Sequence, residues 1–140
     1  LPYTDFYLSA QCLDQKRLGK QRVEVLQILN ALAGKSKGWV NHPAVKMWKG
    51  YEQSLGLYGN CICQEWTTRG FKDTCSNKIQ DIVLEIIASR DQGVLPFEPD
   101  WLYDPRVIQS HRSSLLNKDW NHYSKFNWNT PTNIPLYWPR

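Results

Sequence analysis

Between Leu13 and Ala33 apolar residues recur at three- and four-residue steps, and no other stretch constrains the fold as tightly. At about 100° per residue, Leu18, Val25, Leu29 and Leu32 fall in one narrow stripe, with Leu26 and Ile28 on its flanks. Asp14 stands near the start as a capping residue and Gly34 closes the segment. A long helix with one apolar face must bury that face, and the rest of the chain offers partners of the same period. After the connector Gly38-Trp39-Val40-Asn41-His42, Pro43 suits the first turn of a second helix. That helix carries Trp48, Tyr51, Leu55, Tyr58, Ile62 and Trp66 and ends at Arg69-Gly70. Gly50, Gly56 and Gly59 weaken it by roughly 1 kcal/mol each relative to Ala, while allowing another backbone to approach closely.

A third helix opens between Thr74 and Asn77 and runs to Arg90, with Ile79, Ile82, Val83, Ile86 and Ile87 facing inward. Gly93 to Asp104, punctuated by Pro96 and Pro99, reads as a loop. Asp104-Pro105 is a cap followed by proline at the first helical position, and it opens a short fourth helix with Val107, Ile108, His111, Leu115 and Leu116. From Asp119 onward the chain reads as irregular and aromatic. No strand-like alternation is sustained. The expectation is an all-α, compact single domain over residues 1–140, with about four helices and an irregular aromatic C-terminal segment.

Composition narrows the function classes. With 140 residues and 41% hydrophobic content, one domain with a real core is the economical reading. No stretch approaches the roughly 20 apolar residues of a membrane span, and Leu1-Pro2-Tyr3-Thr4-Asp5-Phe6 lacks the flank and apolar run of a signal peptide. A cytoplasmic monomer with no membrane contact is expected. The first residue is not Met, which leaves room for a segment before Leu1. A net charge of +4 suits an anionic partner, and seven Trp with seven Tyr in a small chain make either an aromatic-rich core or rings available to stack on bases. Cys61 and Cys63 fall within a helical pattern with no second pair at zinc-ligand spacing, and His42, His111 and His122 are scattered. No metal or other cofactor is expected, and the thiols are expected to be reduced.

The chemistry-bearing residues concentrate in the first helix, where Lys16, Arg17, Lys20 and Arg22 precede Glu24 within three turns. Arg22 sits about 40° from Leu18, inside the apolar stripe. A guanidinium there is either paired with a core carboxylate or looks into a wet cleft. Glu24 lies near the stripe's edge with Arg17 and Gln21 before it; it is either a group that positions water or holds a cationic sugar, or a surface ion pair. In the fourth helix His111 is either a core histidine or a pocket group, and Arg112 beside it could reach a phosphate. In the tail, Lys118, Trp120, Tyr123, Lys125 and Phe126 interleave cations with rings, which fits backbone neutralisation with base stacking. Alternatively, these rings pin the strap to the helices.

The segment from Asp14-Gln15 to Arg22-Val23-Glu24 resembles the catalytic helix of the pyrimidine-dimer DNA glycosylases, typified by phage endonuclease V. Glu65 followed by Arg69-Gly70-Phe71 resembles the end of that family's second long helix, and the aromatic-basic tail resembles its DNA-contacting segment. Leu18 to Glu24, Asn41-His42-Pro43-Ala44-Val45 and His111-Arg112-Ser113 are similar to motifs of a bacterial and phage branch of the same family. The resemblance implies attack of a neutral N-terminal amine on the sugar C1′, base release, a Schiff base and strand cleavage, with the helix carboxylate stabilising the cationic sugar. It also implies nucleotide flipping and no metal. Two departures stand out. Val23 separates Arg22 from Glu24, where the family has them adjacent, and Leu1 stands where the family's mature chain begins with a small residue. Lys20 or Lys16 would replace the amine only with a lowered pKa.

Three functions follow. The first is a DNA glycosylase, with or without lyase activity, on a damaged or modified pyrimidine in double-stranded DNA. Its catalytic set would be Arg22, Glu24 and His111, and its DNA contacts Arg17, Lys20, Gln21, His42, Arg112, Lys118, Trp120, Tyr123 and Lys125. The second is a non-catalytic nucleic-acid-binding module. The third is an enzyme on a nucleotide or other small anionic substrate.

Overall fold

The computed structural model describes residues 1–89 and 98–139, and the described residues hold seven α-helices, a 3-10 turn and no strand. The all-α expectation is met, but the helix count exceeds four. One addition is α1 (Phe6–Cys12), too short to register as a period; the Asp5 carboxylate caps it by accepting the Leu8 N–H at 3.0 Å. The long amphipathic helix is α2 (Gln15–Leu32), with Ala33 as its C-cap and Gly34 following. The expected second helix is two helices, α3 (Pro43–Trp48) and α4 (Glu52–Thr68). They separate at Gly50, whose φ of 91° lies in a region that side-chain-bearing residues rarely adopt and that ends a helix. Apolar spacing continued across this break, which is why period alone joined the two.

Two further helices follow the expected course: α5 (Ser76–Ala88) and α6 (Pro105–Lys118), the latter capped by Asp104. Arg90 and residues 93–97 of the expected loop lie outside the described residues. Ile79, Ile82 and Ile86 are buried, but Ile87 is exposed because it lies off the stripe that faces α4. The tail is less irregular than expected. Asp119 caps α7 (Trp120–Tyr123) by accepting the His122 N–H, and a 3-10 turn covers Ser124–Phe126.

Helix α4 runs through the middle, packed on α1, α2 and α5. Its glycines do permit close approach, but of side chains rather than backbone. A Cβ on Gly59 would lie 2.8 Å from Val25 Cγ1 and 3.2 Å from Ile79 Cδ1; one on Gly56 would lie 2.8 Å from Val83 Cγ2. Leu18, Val25 and Leu29 of α2, Leu55 and Ile62 of α4, and Ile79 of α5 are fully buried where these helices meet. Among the described residues no helix is long and apolar enough to cross a membrane.

Beyond the 3-10 turn, residues 127–139 form an extended strap laid along α6. Buried Ser113 and Ser110 accept the backbone N–H groups of Ile134 and Tyr137, each at 3.1 Å, and Asn117 donates to the Thr132 carbonyl. The N-terminal residues are held from the same side: Arg112 Nε donates to the Pro2 carbonyl at 2.7 Å, and Trp128 Nε1 donates to the Tyr3 hydroxyl at 2.7 Å. Strap and N-terminus together bring Leu1, Leu136 and Trp138 into the lining of one cleft.

Candidate active site

The cleft has a volume of about 210 Å3 and lies between α2, α3, α6 and the strap. Helix α2 contributes Gln21, Glu24 and Ile28, which share one face because steps of three and four residues return to nearly the same side. Helix α6 contributes His111, Ser114, Leu115 and Lys118 by the same rule. Met47 and Trp48 of α3 and Trp138 of the strap give it apolar and aromatic walls.

Leu1 and His111 meet in this lining. The Leu1 nitrogen is buried and hydrogen-bonds to His111 Nδ1. Burial first, and then the adjacent amine, push the His111 pKa well below its ordinary value, so the ring is neutral and Nδ1 can accept. In a chain that starts at Leu1 this nitrogen is an α-amine whose pKa burial lowers to about 5, leaving it unprotonated and nucleophilic at neutral pH. Thiol chemistry is disfavoured nearby: burial pushes Cys12 up to about 12.

Glu24 lines the same cleft, with Lys20 Nζ 3.9 Å from its Oε1 and largely in solvent. A carboxylate and a neutral imidazole in one half-enclosed cleft can stabilise developing positive charge and accept or orient a proton.

Arg22 goes elsewhere. Its guanidinium bonds to Asp73 Oδ1 at 2.7 Å and lies 4.8 Å from the Trp66 ring centroid, on the side of α4 and α5. It does not line the cleft. Several residues expected at the DNA face are also occupied internally. Tyr123 is wholly buried and its hydroxyl bonds to the Asp14 carboxylate, so its ring is not available for stacking on a base. Arg112 holds Pro2 and packs over Tyr3 and Trp128, and Arg17 pairs with Asp14 at 3.3 Å. The alternative in which the tail rings pin the strap therefore describes Tyr123, Phe126 and Trp128, which stack on one another. Trp120 is different: 58% of it is exposed. Lys20, Lys118 and Lys125 are exposed, and His42 is exposed while capping α3 through the Ala44 N–H and stacking on Trp39. Lys16 and Lys20 do not line the cleft.

Sequence reasoning did not single out Met47 or Leu136 as cleft residues. Leu136 carried no signal, because its place depends on serines one helix away that hold the strap.

Against known proteins, the profile of a family described as pyrimidine dimer DNA glycosylase matches residues 1–79. The match takes in α1 to α4 and includes Gln21 and Glu24, and it stops before α6. No curated protein and no solved structure matches the chain.

Proposed function

Since the chain belongs to the pyrimidine dimer DNA glycosylase family, we propose that residues 1–140 act as one cytoplasmic, monomeric DNA glycosylase domain. It excises a damaged or modified pyrimidine from double-stranded DNA by flipping the nucleotide into the cleft of α2, α6 and the strap. The observation that carries this reading is that Glu24, His111 and Leu1, whose nitrogen bonds to His111, line one cleft of about 210 Å3.

In this mechanism the Glu24 carboxylate stabilises the positive charge that develops on the sugar as the C1′–base bond lengthens. Neutral His111 accepts the hydrogen bond of the Leu1 nitrogen and fixes its direction. Where that nitrogen is a free amine, its lone pair forms the N–C1′ bond while the base departs with the glycosidic electron pair and takes a proton. The C1′–O4′ bond then breaks as O4′ takes a proton, opening the sugar to an iminium that allows loss of a C2′ proton and elimination of the 3′ phosphate. Where it is a peptide nitrogen, water attacks C1′ and the enzyme is a glycosylase without lyase activity. The exposed cations Lys20, Lys118 and Lys125 are suited to hold phosphates, and exposed Trp120 to stack beside them.

The test is borohydride trapping on ultraviolet-irradiated, abasic and undamaged duplexes, with the protein's N-terminus fixed by mass spectrometry. Expected are base release from irradiated DNA and, for a free Leu1 amine, an adduct mapping to the N-terminal peptide. Glu24→Gln should bind DNA as the wild type does and lose turnover. Undiminished release by Glu24→Gln would overturn the mechanism. Turnover indifferent to duplex length and salt would point instead to a nucleotide-sized substrate.

A further inference from the structure

We propose that Tyr58 is a further substrate-binding residue of the cleft, its hydroxyl donating a hydrogen bond to the ring oxygen of the deoxyribose whose C1′ is attacked. This rests on the glycosylase reading above and adds a residue that holds the sugar rather than the base.

Tyr58 stands on α4, is only 4% exposed, and lines the cleft together with Glu24 and Trp48. Its ring is held on two sides, edge-on to Phe6 with centroids 5.4 Å apart and stacked on Trp48 at 6.1 Å. Those contacts satisfy the ring and not the hydroxyl, which has no hydrogen bond to any described residue. It is not among the polar atoms sealed from water either, so the water it meets is that of the cleft. Trp48, 5% exposed, is placed alike, with an indole N–H that has no partner among the described residues. Half-buried Gln21 and Ser114 and exposed Lys118 can turn to bulk solvent when the cleft fills. Tyr58 cannot, because Phe6 and Trp48 fix its ring. A ligand that displaces the cleft water must replace the bond that this hydroxyl loses.

The chemistry of the two groups selects the atom they meet. Burial first, and then the neighbouring Cys12, Glu24 and Cys61, push the Tyr58 pKa upward, so the phenol keeps its proton and donates. An indole N–H can only donate. Both buried groups therefore call for an acceptor. A phosphate oxygen fits poorly, because it would bring a full negative charge towards Glu24 in a lining that includes Leu13, Ile28 and Met47. The ring oxygen of a sugar accepts, carries no charge, and is bonded to C1′, the carbon that Glu24 serves in the mechanism above. Glu24 is also the cleft carboxylate whose charge reaches Tyr58, so the two side chains attend adjacent atoms of one sugar. The bond strengthens as the C1′–O4′ bond breaks and charge gathers on the oxygen.

The experiment uses two duplexes with a base-free residue at one position, a tetrahydrofuran in the first and its cyclopentane counterpart in the second, so that they differ only in the ring oxygen. Dissociation constants are measured for wild type and for Tyr58→Phe, which keeps the ring between Phe6 and Trp48, with thermal unfolding of both proteins alongside. Wild type should bind the tetrahydrofuran duplex about fivefold or more tightly than the cyclopentane one. Tyr58→Phe should lose that preference to within about twofold, through weaker binding of the tetrahydrofuran duplex alone. A wild type indifferent to the ring oxygen, or a variant that keeps the wild-type preference, would overturn the assignment and leave the glycosylase reading intact. Equal weakening on both duplexes would overturn it too, leaving Tyr58 a packing role. A wild type that binds neither duplex better than undamaged DNA, and releases no base from irradiated, oxidised or deaminated pyrimidine duplexes, would remove the glycosylase reading and this inference with it.

Discussion

Replacing Arg22 and Asp73 separates a structural arginine from a catalytic one, and the geometry sets the size of each effect. The pair is 2.7 Å apart with side chains 14% and 7% exposed, so neither charge is well solvated. Breaking such a pair costs about 3–5 kcal/mol when the remaining charge is stranded. The two partners are stranded unequally. Asp73 also accepts the N–H groups of Cys75 at 3.0 Å and Ser76 at 2.9 Å. Arg22→Met therefore leaves the carboxylate two donors, and the loss should sit at the low end, about 3 kcal/mol. Asp73→Ala leaves a guanidinium with only the Trp66 face and frees two N–H groups at the start of α5, so about 4–5 kcal/mol is expected. In a chain of this size these convert to melting-temperature drops of about 10 and 15 °C. Thermal unfolding by circular dichroism gives the stabilities, and single-turnover base release, run well below the lower transition, gives the chemistry. Arg22→Met should release base within a few-fold of wild type. A variant as stable as wild type yet inactive would refute the assignment and return Arg22 to the reaction.

Two further outcomes follow from the strap and from His111. Ser110→Ala removes the buried hydroxyl that accepts the Tyr137 N–H at 3.1 Å, at a cost of about 1 kcal/mol because water can reach the freed group; hydrogen exchange should quicken in the strap and not in α4, and KM should rise more than kcat falls because Leu136 and Trp138 are loosened. His111 has a depressed pKa, so below its ordinary value near 6.5 the unfolded chain takes up a proton that the folded chain refuses. Stability should therefore fall from about pH 6.5 downward, and a denaturant midpoint that does not move between about pH 7 and 5, or that moves equally in His111→Gln, would contradict this. Asp14 and Asp73 act in a lower window. Burial opposes their ionisation, but Tyr123 and Arg17 in one case, and Arg22 with two backbone N–H groups in the other, hold them below the usual range. What they contribute is present above about pH 4 and lost only below it.

The helices with strong local signals were legible in the sequence. Asp104-Pro105 and Pro43 marked true starts, and Gly34 a true end. The failures have separate physical causes. A seven-residue helix such as α1 contains too few turns to show a period. Gly50 interrupts the backbone without interrupting the apolar spacing, so Trp48 and Tyr58, which stack on each other, lie on different helices. Tyr123 carries the same aromatic signal as Trp120, and only tertiary packing makes one a core residue bonded to Asp14 and leaves the other exposed. The strap's contribution to the cleft could not be read, because it depends on hydrogen bonds between residues more than twenty positions apart.

The division of labour on α2 was legible in its spacing. Taking Gln21 as zero, the buried residues Leu18, Val25 and Leu29 fall between roughly 40° and 80° around the axis, Arg22 near 100°, and Glu24 near −60°. Arg22 and Glu24 thus flank the core stripe on opposite sides, about 160° apart by way of that core. The intervening Val23 makes them point apart: one meets Asp73 and Trp66 beside α4 and α5, and the other meets the cleft beside α6. Gln21 near 0° and Ile28 near −20° fall on the Glu24 side, so the cleft face of α2 follows from the same arithmetic. An arginine directly adjacent to the carboxylate would be 100° from it, close enough to serve one site. Val23 adds another 100° of rotation and leaves the two about 160° apart. In this chain the arginine therefore clamps the helix that presents Gln21 and Glu24, and any guanidinium or ammonium that meets the DNA near the cleft must come from another position, with Lys118 on α6 already lining it.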